Sequence, residues 1–139
     1  MAEILIVAEQ SKGVLDPVVG ELVAVGQGLD GDCAVAVLGA DLGEAPDTAI
    51  ALGATKVYRI EHALLAEAST DVWVAALEQV CRQVGPSVVL MGRTLLGRDV
   101  GPRLAYRLGV GVAQDCVGVR MEEESGRVVA MRPVYGGNA

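Results

Sequence analysis

Short apolar runs alternate with segments of helical period along most of the chain. Ile4-Leu5-Ile6-Val7 is continuous rather than alternating, which predicts a strand over 3–8 buried on both faces. Asp16-Pro17 follows, an N-cap acceptor and a proline whose fixed φ suits a first helical position. Val18, Leu22, Val25 and Leu29 recur at helical spacing, and the glycine-rich stretch 26–31 closes that helix. Strands are predicted over 33–38, 56–60 and 87–91, separated by helices over 46–52 and from Thr70 to Val84. The longer helix has the stripe Val72, Trp73, Ala76, Leu77, Val80, Val84 and is stopped by Gly85-Pro86. A further helix is expected over 99–108, with Leu104, Ala105 and Leu108 inward. Segments 115–121 and 127–134 alternate more strictly around Glu122–Gly126 and predict a hairpin.

Repeated strand–helix units imply an α/β fold: a doubly wound, mostly parallel, Rossmann-like sheet with helices on both faces. The C-terminal β-hairpin would add at one edge or end. The 139 residues are the size of one domain, and no linker or repeat divides them. Hydrophobic residues make up 52% while aromatic ones make up 3%, so aliphatic side chains and alanine must build the core. Mean hydropathy is +0.43, yet no apolar run approaches the ~20 residues that span a bilayer. The N-terminus lacks a basic segment before its apolar run, so no signal peptide is expected and the location is read as cytoplasmic.

Formal net charge is −7, which argues against nucleic acid as a partner because phosphate binding needs a basic surface. The charge is uneven. Residues 1–81 hold 3 basic and 13 acidic side chains, residues 82–139 hold 8 and 5. That asymmetry predicts one basic end. Cys33, Cys81 and Cys116 are scattered and odd in number, which fits buried thiols rather than a disulfide framework or a zinc site.

Two glycine patterns invite a nucleotide reading. Gly26-Gln27-Gly28-Leu29-Asp30-Gly31 spells G-x-G-x-x-G, but it follows a helix and precedes a strand, the reverse of what a pyrophosphate cradle needs. Gly92–Gly97 has phosphate-loop spacing in a better place, after a strand. There, however, Arg98 stands for the lysine and Asp99 for the magnesium-binding hydroxyl, so NTP hydrolysis is not expected. Arg93, Thr94, Arg98 and Arg103, with Arg107 beyond, remain candidates to hold an anion, a partner's carboxylates, or acids such as Asp99 and Asp115 within the domain. His62 has no metal-ligand companion in sequence, and no serine sits in a nucleophile motif, so side-chain catalysis is not expected.

The stretches ILIVAEQSKGVLDPVVGELV, GRTLLGRDVGPRLAYRLG, AQDCVGV and RPVYGGNA, in that order, resemble the N-terminal domain of the electron transfer flavoprotein alpha subunit. The most specific pieces are residues 97–105 and 135–139. The resemblance implies a nucleotide-binding fold that has lost its nucleotide and packs on a beta subunit as a rigid base. It implies FAD in the complete heterodimer, held outside these residues by a C-terminal domain. It further implies electrons received from dehydrogenases, typically the acyl-CoA dehydrogenases of fatty-acid β-oxidation. No flavin-binding residue is transferred to this chain, because the family's flavin-contacting segment has no counterpart here. The Arg93–Arg107 region could alternatively touch the phosphates of a flavin held mainly by the partner. A rival of another class is a small adenine-nucleotide-binding module of the universal-stress-protein type, which shares the layout and a glycine loop after the fourth strand.

Overall fold

Apolar strands of four to eight residues form the centre of this computed structural model, which describes residues 3–29, 32–66, 69–92, 95–110, 118–121 and 128–131. Strand β1 (Glu3–Ala8) leads into a two-residue-strand hairpin, β2 (Gln10–Ser11) and β3 (Val14–Leu15), and then helix α1 (Val18–Gln27). Next come β4 (Asp32–Gly39), α2 (Ala45–Ala51), β5 (Lys56–Glu61), a 3-10 turn (Ala63–Leu65) and α3 (Thr70–Val84). The chain continues through β6 (Val88–Met91) and α4 (Leu95–Leu108) to β7 (Gly118–Met121) and β8 (Val128–Met131).

The main sheet has the order β5-β4-β1-β6, with every pair parallel. β1 and β4 lie inside it, and their side chains serve two cores. Leu5, Val7, Ala34, Ala36 and Leu38 pack with α3 and α4; Ile6, Ala8, Cys33, Val35 and Val37 pack with α1 and α2. Burial on both faces is why these strands read as unbroken apolar runs. β5, at one edge, instead exposes Lys56, Arg59 and Glu61, charges that discourage edge pairing. The fold is thus α/β, Rossmann-like and doubly wound.

Local chemistry accounts for the helix ends. Asp16 Oδ1 accepts the Val18 amide at 3.0 Å, and Pro17 has helical dihedrals (φ −54°, ψ −26°), as its sequence position predicts. Gly85 ends α3 in the left-handed region (φ 64°), its amide donating to Cys81 O at 2.8 Å.

Two expectations need correction. The buried side of α1 is Val19, Val23 and Gly26, with Leu22 and Val25 flanking it rather than leading it. A Cβ at Gly26 would lie 3.0 Å from Cys33 Sγ and 3.3 Å from Ile6 Cδ1. The helix therefore approaches the sheet through a glycine, which a count of apolar residues passes over. α4 starts at Leu95 rather than 99, so residues 95–99 are helical and not part of a long glycine loop. Pro102 then falls inside the helix, where proline removes a backbone bond and is usually disfavoured. The expected C-terminal hairpin is present, Gly118–Met121 against Val128–Met131, and among the described residues it forms a sheet of its own. Finally, the β2–β3 hairpin is absent from the sequence reading. Its strands are too short to show an alternation.

Candidate functional site

Doubly wound sheets bind ligands beyond the carboxyl ends of their strands, where neighbouring connections leave in opposite directions. Here that point lies between β1 and β6. The connection after β1 is where a nucleotide-binding fold places its glycine loop, and in this chain it is the β2–β3 hairpin. Lys12 (φ 52°) and Gly13 (φ 82°) both occupy left-handed conformations, the pattern of a two-residue type I′ turn. Gln10 Oε1 accepts the Gly13 amide at 2.8 Å, and the Gln10 amide nitrogen fills the space where Gly39 would carry a Cβ.

The hairpin tip rests on the β4–α2 connection. A Cβ on Gly13 would come within 3.2 Å of Gly43 Cα, and one on Gly43 within 3.0 Å of Gly13 Cα. That connection is itself tied down: Glu61 Oε2 accepts the Leu42 amide at 3.1 Å, and Asp41 Oδ1 accepts the Gly43 amide at 3.1 Å. The hairpin thus lies across the carboxyl end of β4.

At the start of α1 the Val18 amide, which a phosphate could use, is taken by the chain's own carboxylate. Asp16 accepts from Val18, and its charge repels an incoming anion. On the β6 side, Gly92 and Val18 are in close contact; a Cβ on Gly92 would fall 2.7 Å from Val18 Cγ1. Among the described residues, this edge therefore offers a pyrophosphate no open backbone cradle. A measurable consequence concerns Gly92→Ala. It forces the stiff, β-branched Val18 aside and is expected to cost about 1–3 kcal/mol. Val18→Ala in the same chain should recover most of that loss, a coupling readable from urea unfolding of the single and double variants.

Arg93 and Thr94 lie outside the described residues, as do the side chain of Arg98 and the whole of Cys116 and Asp115. Arg103 and Arg107 project from α4 towards α3. Arg103 Nη2 is paired with Asp71 Oδ1, and Arg107 Nη1 meets Glu78 Oε1 at 3.0 Å. Glu78 Oε2 also receives Arg82 Nη2 at 2.9 Å, one helical turn away. Arg82 additionally donates to the Arg107 carbonyl at 3.2 Å, near the end of α4. The acids engaged lie on α3; Asp99, considered from sequence, is not paired with Arg103 or Arg107 in these contacts. Around them, Pro102, Arg103, Tyr106 and Arg107 line a shallow depression.

The Arg82 and then the Arg107 hydrogen bonds hold the Glu78 carboxyl below the ordinary glutamate range. A depressed folded value adds stability above the unfolded pKa of about 4.3, and that contribution disappears as pH falls through the folded value. The melting-temperature gap between the native chain and Glu78→Gln is thus expected to be constant near neutrality and to close in acid. A gap independent of pH would show that these ion pairs add no stability.

Cys33 and Cys81 are buried, and burial pushes both thiols up, away from the reactive thiolate. His62 is exposed and its Nδ1 accepts the Leu64 amide at 3.1 Å, capping the 3-10 turn. Among the described residues no cluster of three His, Cys, Asp or Glu could hold a metal, and no helix is long and apolar enough to cross a membrane. Sequence reasoning missed Gln10, Lys12 and Gly13 as a hairpin over the end of β4, and Val18 as the neighbour of Gly92. The sole signal was Lys12-Gly13, a weak turn dipeptide.

The electron transfer flavoprotein domain matches residues 4–139. The chain is 33% identical over 140 residues to the electron transfer flavoprotein subunit alpha of Thermoanaerobacterium thermosaccharolyticum, covering 98% of this chain and 42% of that protein. It is 31% identical over 139 residues to the corresponding subunit of Bacillus subtilis, covering 99% and 42%. Protein FixB of Azotobacter vinelandii is 27% identical over 140 residues, covering 94% and 38%. The chain thus spans about two-fifths of the length of the curated relatives it matches.

Proposed function

The chain belongs to the electron transfer flavoprotein domain family, and from that premise we propose that it is the N-terminal scaffold and subunit-interface part of an alpha subunit. In this reading the complete protein pairs with a beta subunit and carries electrons on FAD. The flavin is held outside residues 1–139. Donors are dehydrogenases such as those acting on acyl-CoA, and residues 1–139 contribute shape and a docking face rather than side-chain chemistry.

One observation carries the scaffold reading: the described residues at the carboxyl ends of the strands pack against one another. The β2–β3 hairpin lies across the end of β4, the Asp16 carboxylate takes the first amide of α1, and Val18 lies against Gly92 beside β6, which supports the reading of an edge without a nucleotide. A fold that retains a rigid parallel sheet while crowding its ligand edge is suited to support another chain. The relatives are named as alpha subunits, which supports the pairing with a beta subunit.

The test is coexpression with the cognate beta subunit. Residues 1–139 are expected to coelute with it, and to leave the fluorescence of added FAD unquenched when alone. Failure to coelute would remove the subunit reading. Calorimetric titration of the same chain with ATP and AMP addresses the nucleotide-module alternative. Saturable heat at micromolar nucleotide would favour that alternative and contradict the scaffold reading.

A further inference from the structure

His62 is the chain's single histidine, and it stands where β5 ends and the chain turns towards α3. Its backbone and its side chain are both engaged. The amide donates to Gly39 O at 3.0 Å, at the end of β4, and the carbonyl accepts the Leu65 amide at 2.9 Å. Nδ1 accepts the Leu64 amide at 3.1 Å. Leu65 is buried in the core that α3 covers, whereas Leu64, its neighbour, is 66% exposed. We propose that His62 is an acid-sensitive latch. The neutral imidazole holds the 63–66 turn shut between β5 and α3, and protonation opens it.

The chemistry of the ring makes the latch conditional. An imidazole accepts at Nδ1 only while that nitrogen carries no proton, so the observed bond requires the neutral tautomer with its proton on Nε2. Protonation turns Nδ1 into a donor and sets two N–H groups against each other. The ring must then leave, and the Leu64 amide loses its partner. A turn this short has few bonds to spare: besides the cap, it is closed by Leu65 to His62 and by Ala66 to Ala63. The imidazole is exposed, so a proton reaches it from solvent without any opening of the fold. Release frees Leu65 from the core and enlarges the apolar surface that Leu64 already offers at this end of the sheet.

The turn packs against β4 and α3. The charged groups brought to this end are Asp41 and Glu44 in the connection after β4, Asp71 in the first turn of α3, and Arg59 and Glu61 on β5. Asp71 is paired with Arg103, and Glu61 Oε2 accepts the Leu42 amide. Protonation of Glu61 would therefore loosen Leu42 rather than Leu64. The two acid-sensitive contacts at the end of β5 act on different amides, which allows them to be told apart.

The experiment is an NMR pH titration of the whole 139-residue chain, in which the imidazole signal is unique, beside His62→Asn and His62→Ala. Protection of the Leu64, Leu65 and Ala66 amides, corrected for the pH dependence of exchange itself, is expected to fall about five- to tenfold as pH is lowered. Its midpoint should coincide with that of the His62 ring protons, and the Leu42 amide should not follow it. His62→Asn, whose side chain caps at any pH, should stay protected throughout; His62→Ala should lack the protection at every pH. If the three amides keep their protection while the ring titrates, the latch is overturned. It is equally overturned if His62→Asn shows the native acid response, which would assign the effect to a carboxylate. Loss of helical circular dichroism at the imidazole midpoint would mean that the whole fold loosens, and would overturn a local latch as well.

Discussion

Leu77→Ala is expected to lower the unfolding free energy by about 2–5 kcal/mol, the range for truncating a fully buried leucine. Leu77 is 0% exposed and belongs to the core that joins α3 and α4 to Leu5, Val7, Ala34, Ala36 and Leu38. That core spans β1, β4 and both helices, so the cavity left behind cannot close by moving one element. The molecule carries its own reporter in Trp73, its single tryptophan, which is 5% exposed in the same cluster. Urea unfolding followed by Trp73 emission should show a lower midpoint with an unchanged slope. Ile50→Ala is the comparison. Ile50 is 51% exposed on α2, and its loss should stay within about 0.5 kcal/mol. Equal effects for the two would mean that α3 is not docked as described.

Gly43→Val should destabilise by a similar amount, about 2–5 kcal/mol, for a different reason. Gly43 has φ +50°, a left-handed conformation that a β-branched residue strongly resists. The added Cβ would also stand 3.0 Å from Gly13 Cα, and backbone cannot rotate out of the way as a side chain can. The loss should fall on the docking of the β2–β3 hairpin. Faster hydrogen exchange at the Gly13 and Leu42 amides, which bond to Gln10 and Glu61, is its signature. Gly43→Asn separates the two causes, since asparagine tolerates the left-handed region but keeps the close approach. Gly20→Ala gives the opposite sign. A Cβ there meets only Leu52 Cδ2 at 3.8 Å, and replacing a helical glycine should stabilise by about 0.5–1 kcal/mol.

Three small local devices crowd the carboxyl ends of the strands among the described residues: a two-residue turn, one capping carboxylate and one valine against a glycine. The outer face of α3 and α4 is held by two ion pairs between the helices. Each can be perturbed without touching the sheet.

Much of the architecture was legible along the chain because its causes are local. Ile4–Ala8 and Cys33–Leu38 are apolar at consecutive positions, and only a strand covered on both faces makes use of that. Asp16-Pro17 and Gly85 mark helix ends through backbone geometry that neighbouring residues determine by themselves. The same locality showed that the stretch beginning at Gly26 faces the wrong way for a phosphate.

What remained hidden depends on contacts between distant residues. Arg103 and Asp71 are 32 positions apart and Arg107 and Glu78 are 29, so no spacing rule could pair them. The buried face of α1 turned on Gly26, whose value lies in the room it leaves for Cys33 and Ile6. The start of α4 was obscured by Gly97 and Pro102, residues that oppose a helix locally but are overruled when Val100 and Leu104 are buried against the sheet. By itself the sequence determined which segments are strands and helices, and that the strands form a two-sided parallel sheet, because hydrophobic period and end-capping are written in neighbouring residues. Only the tertiary structure decided that the β2–β3 hairpin meets the β4–α2 connection and that Arg103 and Arg107 are held by α3, because both follow from backbone approaches and charge pairs that form after the elements have packed.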